Sequence, residues 1–519
     1  MYLGELLDRN ARYRPDHMGV IFKDRRLTYS TFDADVNRLA NALNAKGFQK
    51  GDRIATILPN CLELLTLFWA AAKTGIVVVP VSPLLQEVGL FGLFSNARPT
   101  GYFVSPDHDI AVRAVNERIG SATPDRIFTI GGSSSASNSY EALVEGASSN
   151  TPTDITIDGQ DLFNIFYTSG TTGEPKGIMH SHHVRSMYGT LFANAWRMTP
   201  ESVVLHSGAL IYNGAFVTML PCFFSAGTFI FHEAFEPAEV IATIAREKVT
   251  HIMLVPSQIT ALLNAVNYES AKLQTLEMLL SLGAPLHLEI KKKFAYDVPG
   301  RFYELYGVTE GFITFLDKTD FDKKPSSVGV PMQFNEIRIA DDKGAPLPTG
   351  EIGEIIGRGP MMMAGYYDRP DLTASTIKNG WIHSGDLGYV DKDGFLYLVD
   401  RKKDMIISGG VNVYPRDIEE VIVRHPAIKE TAVFGVAHEK WGETPIAAVT
   451  LQTGERQMAA DLKSWINDHV PAKFQRVYEV LVVNEFPRNA AGKILKRTLR
   501  EAYETGAFKK MSESEEGSR

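Results

Sequence analysis

The sequence predicts an α/β protein of two or more domains: a large N-terminal domain of layered α/β/α sheets with a β-rich subdomain, then a small C-terminal α/β domain. Buried strands alternate with one-sided helices through the first third of the chain, which argues for a parallel sheet with right-handed crossovers. Beyond residue 330 the pattern turns to hairpins, and beyond Asp400 to a small α/β unit. At 519 residues, the chain is longer than one core usually sustains.

The elements follow in order. Leu27-Thr28-Tyr29 reads as a short strand, and Ser30 is placed to cap a helix that ends near Lys46, before Gly47. Phe32, Val36, Leu39, Ala40 and Leu43 give that helix one apolar face. Arg53 to Leu58 is a buried strand, Asn60 with Glu63 suggests a capping box, and a helix runs from Leu62 to Lys73. Gly75 closes it before a strand at Ile76 to Val81. Residues 132 to 154, rich in Ser, Gly and Asn, read as a loop or subdomain boundary. Leu210 to Phe231 approaches a membrane-spanning length but is broken by Asn213, Pro221 and glycines, so it reads as buried core. Ile337 to Ile339 with Asp341 to Gly344, and Gly388 to Val390 with Asp391 to Gly394, read as hairpins. Helices are expected after Pro415 and from Arg456 to Val470, and a strand from Val477 to Val483. The domains are expected at 1–399 and 400–510, with a disordered acidic tail at 511–519.

Charge and cysteine narrow the function classes. With 53 basic against 61 acidic residues, a net charge of −8 offers no broad basic surface to nucleic acid. Two cysteines, Cys61 and Cys222, supply neither a disulfide framework nor a Cys-based zinc site, and they fit a reducing, cytoplasmic setting. No secretory, transmembrane, peroxisomal or lipidation signal is read.

The most informative stretch is Tyr167-Thr168-Ser169-Gly170-Thr171-Thr172-Gly173-Glu174-Pro175-Lys176-Gly177, after the apolar run Asp161 to Phe166. Its glycines let backbone N–H groups approach an anion, its hydroxyls add donors, and Lys176 adds a point charge. Pro175 stands where a nucleotide P-loop would have its second Gly. A plain Gly/Thr turn is the simpler reading of such a loop. The whole string resembles the phosphate loop of acyl-adenylate-forming enzymes: acyl-CoA synthetases, peptide-synthetase adenylation domains and beetle luciferases. Four companion motifs lie downstream in the family's order, and the resemblance covers the chain from its opening helix to about residue 503.

Gly283-Ala284-Pro285 and Tyr303-Glu304-Leu305-Tyr306-Gly307-Val308-Thr309-Glu310 match the adenine and Mg²⁺ motifs. An exposed Thr-Glu pair by itself is more often a helix cap. By resemblance, Glu304, Leu305, Tyr306, Gly307 and Thr309 line adenine and the α-phosphate, and Glu310 holds Mg²⁺ with its hard carboxylate. Asp386, in Trp381 to Gly388, would accept the ribose hydroxyls, although alone it is an ordinary turn residue. Asp400-Arg401-Lys402-Lys403-Asp404 would ordinarily mark a solvated turn. The resemblance makes it the hinge of a mobile C-terminal domain, with Asp400 the pivot and Arg401 on the ribose. Lys493, in Pro487 to Arg497, would by itself be a surface lysine; it matches the family's catalytic lysine.

The implied chemistry is ATP-dependent activation of a small carboxylic acid, fatty or aryl, as its acyl-adenylate, followed by transfer to the thiol of coenzyme A. Lys493, Thr309 and Glu310 are the catalytic candidates. Relatives carry a His at the mouth of the acyl pocket where this chain has Tyr212, so gate and depth differ from the family pattern. Tyr212, Asn213, Phe216, Ser281, Gly307, Gly311 and Phe312 are the expected pocket lining; a packed core tyrosine is the simpler reading of Tyr212. Ser408, Gly409, Gly410, Trp441, Lys473 and Phe474 resemble the CoA-holding residues of aryl-acid ligases. Two other functions stand beside the ligase: an adenylation enzyme loading a carrier protein, and a luciferase-like oxygenase or idle binding protein on the same fold. Lys493, Glu310 and Arg401 speak against idleness, and no carrier domain follows residue 519 in this sequence. Self-association as a homodimer is left open.

Overall fold

The computed structural model describes residues 2–131, 138–153, 155–169, 175–455, 457–488 and 494–507. The chain forms two compact units: Met1–Ile337 with Gly357–Ile382, and Arg338–Ile356 with His383–Arg519. These breaks fall earlier than the boundary at residue 400 expected from the sequence.

Two sheets organise the first unit. One is eight-stranded, ordered Gly365–Tyr366, Pro175–Ser181, Leu162–Ser169, Val77–Val81, Arg53–Ile57, Gly101–Val104, Ile127–Thr129, Asn138–Ser139. The other is nine-stranded, ordered Val330–Pro331, Ile313–Leu316, Phe302–Gly307, Met278–Ser281, His251–Leu254, Val203–His206, Thr228–Phe231, Met18–Phe22, Arg25–Thr28. From Leu162–Ser169 to Asn138–Ser139 in the first sheet, and from Phe302–Gly307 to Met18–Phe22 in the second, neighbouring strands are parallel, with helices in the crossovers as the alternation predicts. Pro175–Ser181 and Ile313–Leu316 are antiparallel to their neighbours. The eight-stranded sheet is buried on both faces. Ile54, Val78 and Phe166 point into one core, while Ala55, Val79 and Ile165 point into another. The helix Leu62–Thr74 lies in the first core, buried at every position but Glu63, which explains its apolar residues all round. Its one buried charge, Lys73, is held by Asp8, Asp33 and Asn37.

Several local expectations hold. Gly75 closes its helix with φ 72°, in the left-handed region that favours glycine. Leu210 to Phe231 is core, forming the helix Asn213–Ser225 and the strand Thr228–Phe231. Others are corrected. Thr28, not Ser30, caps the helix Tyr29–Ala45 by accepting from Thr31 N, while Ser30 donates to the Pro15 carbonyl. Asn60 makes no capping box: its amide donates to the carbonyls of Gly208 and His232 and accepts from Leu210 N. The Ser-rich stretch is no subdomain boundary, since Asn138–Ser139 extends the eight-stranded sheet and Tyr140–Val144 is a helix.

In the second unit Trp381–Val390, from His383 on, pairs antiparallel with Leu396–Arg401, as the Asp391 to Gly394 turn predicts. A five-stranded sheet follows, ordered Val411–Val413, Ile406–Ser408, Gly442–Leu451, Ile428–His438, with Glu479–Val482 paired to Gly442–Leu451. The helices Pro415–Ile422 and Ala459–His469 share a core with it.

Candidate active site

In the first unit the site is built on the hairpin of Leu162–Ser169 and Pro175–Ser181. Its register brings Thr168 opposite Lys176 and Ser169 opposite Pro175. Gly170, Thr171, Thr172 and Gly173, which join the strands, lie outside the described residues, as do the side chains of Thr168 and Ser169. The short strand Gly365–Tyr366 pairs with the same hairpin, setting Tyr366 opposite Ile178. The Lys176 ammonium lies 5.9 Å from the Tyr366 ring centroid.

The second wall is the C-terminal edge of the nine-stranded sheet, where ligand crevices form in parallel α/β sheets. Met278–Ser281 runs parallel to Phe302–Gly307, with Ser281 opposite Glu304. Gly283-Ala284-Pro285 leaves the first strand as an exposed turn, with φ 92° at Gly283. Gly307 leaves the second, and a Cβ there would lie 2.8 Å from the Phe312 carbonyl oxygen, so only glycine fits. Glu304 is buried, its carboxylate paired with the equally buried Lys291. Tyr306 sits edge-on to Phe312, their centroids 6.2 Å apart.

Thr309 and Glu310 are pinned from below. His180 Nε2 donates to the Thr309 carbonyl at 2.9 Å, and Tyr366 Oη donates to Glu310 Oε1 at 2.6 Å. Met363 N donates to the Glu310 carbonyl at 2.7 Å. A carbonyl only accepts, so His180 carries its proton on Nε2 and its Nδ1 accepts, here from Arg185 Nη2 at 3.1 Å. Burial, reinforced by the Arg185 charge, holds the His180 pKa well below 6.5, so the imidazole stays neutral. Burial and the Glu310 carboxylate hold the Tyr366 phenol protonated, as the donor.

Of the expected acyl-pocket residues, Tyr212, Asn213 and Gly307 are open in part, whereas Phe216, Ser281, Gly311 and Phe312 are buried. Tyr212 and Asn213 begin the helix Asn213–Ser225. A Cβ on Gly214 would lie 3.3 Å from Leu282 Cδ1, so that helix start abuts the strand end leading to Gly283. Phe216 packs edge-on to Phe68 and Phe166 and closes the core behind Asn213. The Ser281 hydroxyl is buried without a hydrogen-bond partner among the described residues. A cleft of about 650 Å³ between Lys23, Arg26, His232, Glu239 and Arg246 includes no motif residue, and its cations Lys23, Arg26 and Arg246 are paired with Glu233, Glu247 and Glu239.

The second unit brings together two further sets. Arg401 Nε lies 3.1 Å from Asp386 Oδ1 across the hairpin, joining the two expected ribose residues. Asp400 accepts from Arg401 N at 2.7 Å and, with its other oxygen, from Arg416 N at 3.0 Å, near the start of the helix Pro415–Ile422. Burial raises its pKa, and the nearby Lys496 opposes that rise. Gly409 N donates to the Trp441 carbonyl at 2.7 Å, and Ser408 pairs with Gly442. A Cβ on Gly409 would lie 3.1 Å from the Trp441 ring, whose other neighbour is the Lys440 ammonium at 4.7 Å from the centroid. Trp441 and Phe474 are 45% and 44% exposed, open to a planar ligand. Lys473 and Phe474 lie on the turn packed against Val411–Val413. Lys493 lies outside the described residues.

Sequence reasoning missed Tyr366, His180 and Arg185. The last two lie in the polar run His180-Ser181-His182-His183-Val184-Arg185-Ser186, which by itself reads as a solvated strand–helix junction.

Comparisons with known proteins show the family and the fold. The AMP-binding enzyme family matches residues 7–367, and the AMP-binding enzyme C-terminal domain matches residues 417–493. A feruloyl-CoA synthase of an Amycolatopsis species is 32% identical over 509 residues, covering 96% of this chain and 99% of that protein. The long-chain-fatty-acid–CoA ligase FadD13 of Mycobacterium tuberculosis is 32% identical over 493 residues, covering 92% and 94%. The crystal structure of ATP-bound MatB from Rhodopseudomonas palustris has a TM-score of 0.89 at 31% identity, covering 97% of this chain and 99% of that one.

Proposed function

The chain belongs to the AMP-binding enzyme family, and we propose how its residues divide the work of an ATP-dependent acid–CoA ligase that acts through an acyl-adenylate. The observation that carries this assignment is the pinning of Thr309 and Glu310, by His180 and Tyr366, at the sheet edge beside the hairpin that bears Lys176.

A carboxylate is a poor electrophile because its charge repels nucleophiles and oxide does not leave. Its oxygen attacks the ATP α-phosphorus; the new P–O bond forms as the bond to the β-phosphate oxygen breaks, and pyrophosphate departs. The protein's task is to bring two anions together and to steady the charge on phosphorus by fixed donors. In our reading the loop 168–176 takes the phosphates, Gly283 to Pro285 and Tyr306 take adenine, Asp386 and Arg401 take the ribose, and Lys493 faces the α-phosphate. Among the described residues no three or more His, Cys, Asp or Glu side chains converge as a metal cage. A single carboxylate, Glu310, suits Mg²⁺ that arrives on the nucleotide, where it neutralises phosphate charge. The CoA thiol then attacks the acyl carbonyl and AMP leaves, with Trp441, Phe474 and Lys473 holding the CoA nucleotide.

We assign the catalytic lysine to a C-terminal domain of residues 400–510 that pivots at Asp400 between the two steps. A cytoplasmic location is part of the proposal, in keeping with two free thiols.

The test is acid-dependent ATP–pyrophosphate exchange across a panel of aliphatic and aromatic acids. Exchange with at least one acid is expected, and Lys493→Ala should cut it by roughly 10²-fold or more through lost transition-state electrostatics. No exchange with any acid would refute the assignment; an unchanged rate in folded Lys493→Ala would return that lysine to the surface.

A further inference from the structure

Arg185, on the helix His182–Ala195, is wholly buried and has no carboxylate partner among the described residues. Its Nε donates to Asn164 Oδ1 at 2.8 Å, Nη1 to Asn213 Oδ1 at 2.8 Å and Nη2 to His180 Nδ1 at 3.1 Å. Its Cζ lies 5.2, 4.8 and 4.6 Å from the ring centroids of Phe166, Tyr188 and Phe216. Burial lowers its pKa from 12.5 to about 10, which leaves it cationic at neutral pH. Two amides, one neutral imidazole and three ring faces therefore hold a desolvated charge.

Such a charge is expensive to bury, and a leucine would avoid that cost while leaving the oxygens of Asn164 and Asn213 and His180 Nδ1 without this donor. Its three hydrogen bonds reach three parts of the site. Asn164 lies in the strand that leads into the phosphate loop. Asn213 is one of the open residues of the acyl wall, its amide also donating to Tyr188 Oη at 3.2 Å. His180 holds the carbonyl of Thr309, next to Glu310. A planar guanidinium can fix three acceptors at once in set directions, which a lysine ammonium on its flexible stem cannot.

We propose that Arg185 is a positioning residue for adenylation: it fixes Asn213 on the acid side and, through His180, Thr309 on the nucleotide side in one rigid frame. The proposal rests on the adenylation reading above. A shift of about 1 Å between two reacting groups can cost 10²-fold in rate, so a frame that spans both substrates controls the chemical step.

The experiment compares pyrophosphate exchange in wild type, Arg185→Lys, Arg185→Leu and Arg185→Ala, with thermal unfolding of each. All three variants should lose roughly 10- to 100-fold in kcat, the range for residues that orient a reacting group from behind. KM for the acid should rise while KM for ATP changes little, because Asn213 loses its anchor directly. Arg185→Leu trades the buried charge for three acceptors that lose this donor, so thermal unfolding serves to show that it is folded at the assay temperature, where it should be as slow as the others. Methylguanidinium, which fits the cavity of Arg185→Ala, should restore its exchange saturably, whereas neutral urea at equal concentration should not. Near-wild-type exchange by Arg185→Leu would overturn the proposal and leave Arg185 as packing. If Arg185→Ala does not fold, Arg185→Lys and Arg185→Leu decide the outcome. Absence of exchange in wild type would instead bring down the adenylation reading, and this proposal with it.

Discussion

Replacing Tyr366 by Phe removes one oxygen and keeps the ring in its small core with Ile178 and Met363. The lost contact is the 2.6 Å hydrogen bond to Glu310 Oε1. A hydrogen bond to a charged acceptor contributes about 1.5–3 kcal/mol. Glu310 is half-buried, so water takes over part of this, and the lower end of the range applies. That corresponds to roughly a tenfold change in an equilibrium, which also matches the low end of the loss when a metal ligand's hydrogen-bonding partner is removed. The bond leaves Glu310 Oε2 without a donor among the described residues, so the phenol orients the carboxylate and leaves one oxygen for the metal. Tyr366→Phe should raise the Mg²⁺ concentration for half-maximal pyrophosphate exchange by about tenfold, with KM for the acid unchanged. The assay is exchange at fixed total ATP over a Mg²⁺ titration, with thermal unfolding as a control. An unaltered Mg²⁺ curve in a folded variant would refute the orienting role of Tyr366 and weaken the assignment of Glu310 to the metal.

Three further outcomes are expected. Tyr212→Ala should extend the accepted acids toward longer or bulkier ones at unchanged KM for ATP; an identical substrate profile would return Tyr212 to core packing. Asp400→Pro fixes φ at the expected hinge and also removes a carboxylate that accepts from Arg401 N and Arg416 N, so Asp400→Asn is the control for the second effect. The proline variant should still form acyl-adenylate but lose most thioester formation, and a wild-type rate from purified acyl-adenylate would rule out a hinge there. His182 is buried with its pKa lowered from 6.5 to about 4, chiefly by desolvation, so its stabilisation is complete above pH 6.5 and is lost as pH falls toward 4. Between pH 7 and 5 this amounts to about 2 kcal/mol, which His182→Phe should remove from the acid-induced loss of stability measured by urea unfolding. Parallel losses in both proteins would contradict it.

The parts of the fold that the chain spells out are those set by local chemistry. Arg53 to Val81 alternates as it should because both faces of its sheet are covered, and Gly75 marks a helix end because only glycine takes φ 72° at little strain. Distant partners decided the errors. Asn60 has a capping residue's composition, but its amide is claimed by Gly208, Leu210 and His232, nearly 150 positions or more away. The charged run at Asp400 does contain an exposed turn at Lys402 and Lys403, while its first two residues are engaged: Asp400 at the start of the next helix and Arg401 with Asp386. The motifs pointed to the residues that we assign to the substrates. His180, Arg185 and Tyr366, which hydrogen-bond to Thr309, Asn213 and Glu310, carry no motif, and these partners lie 28 to 129 positions away along the chain.

The central claim is that an acyl-adenylate forms first and is then consumed by a thiol. A single-turnover experiment with α-³²P-labelled ATP, Mg²⁺ and an accepted acid tests it most directly. Without CoA, the account predicts labelled acyl-adenylate bound to the protein, with pyrophosphate released in equal amount. Addition of CoA should convert it to labelled AMP and an acyl thioester. Labelled ADP in place of AMP, or thioester formed with no prior adenylate, would contradict the account.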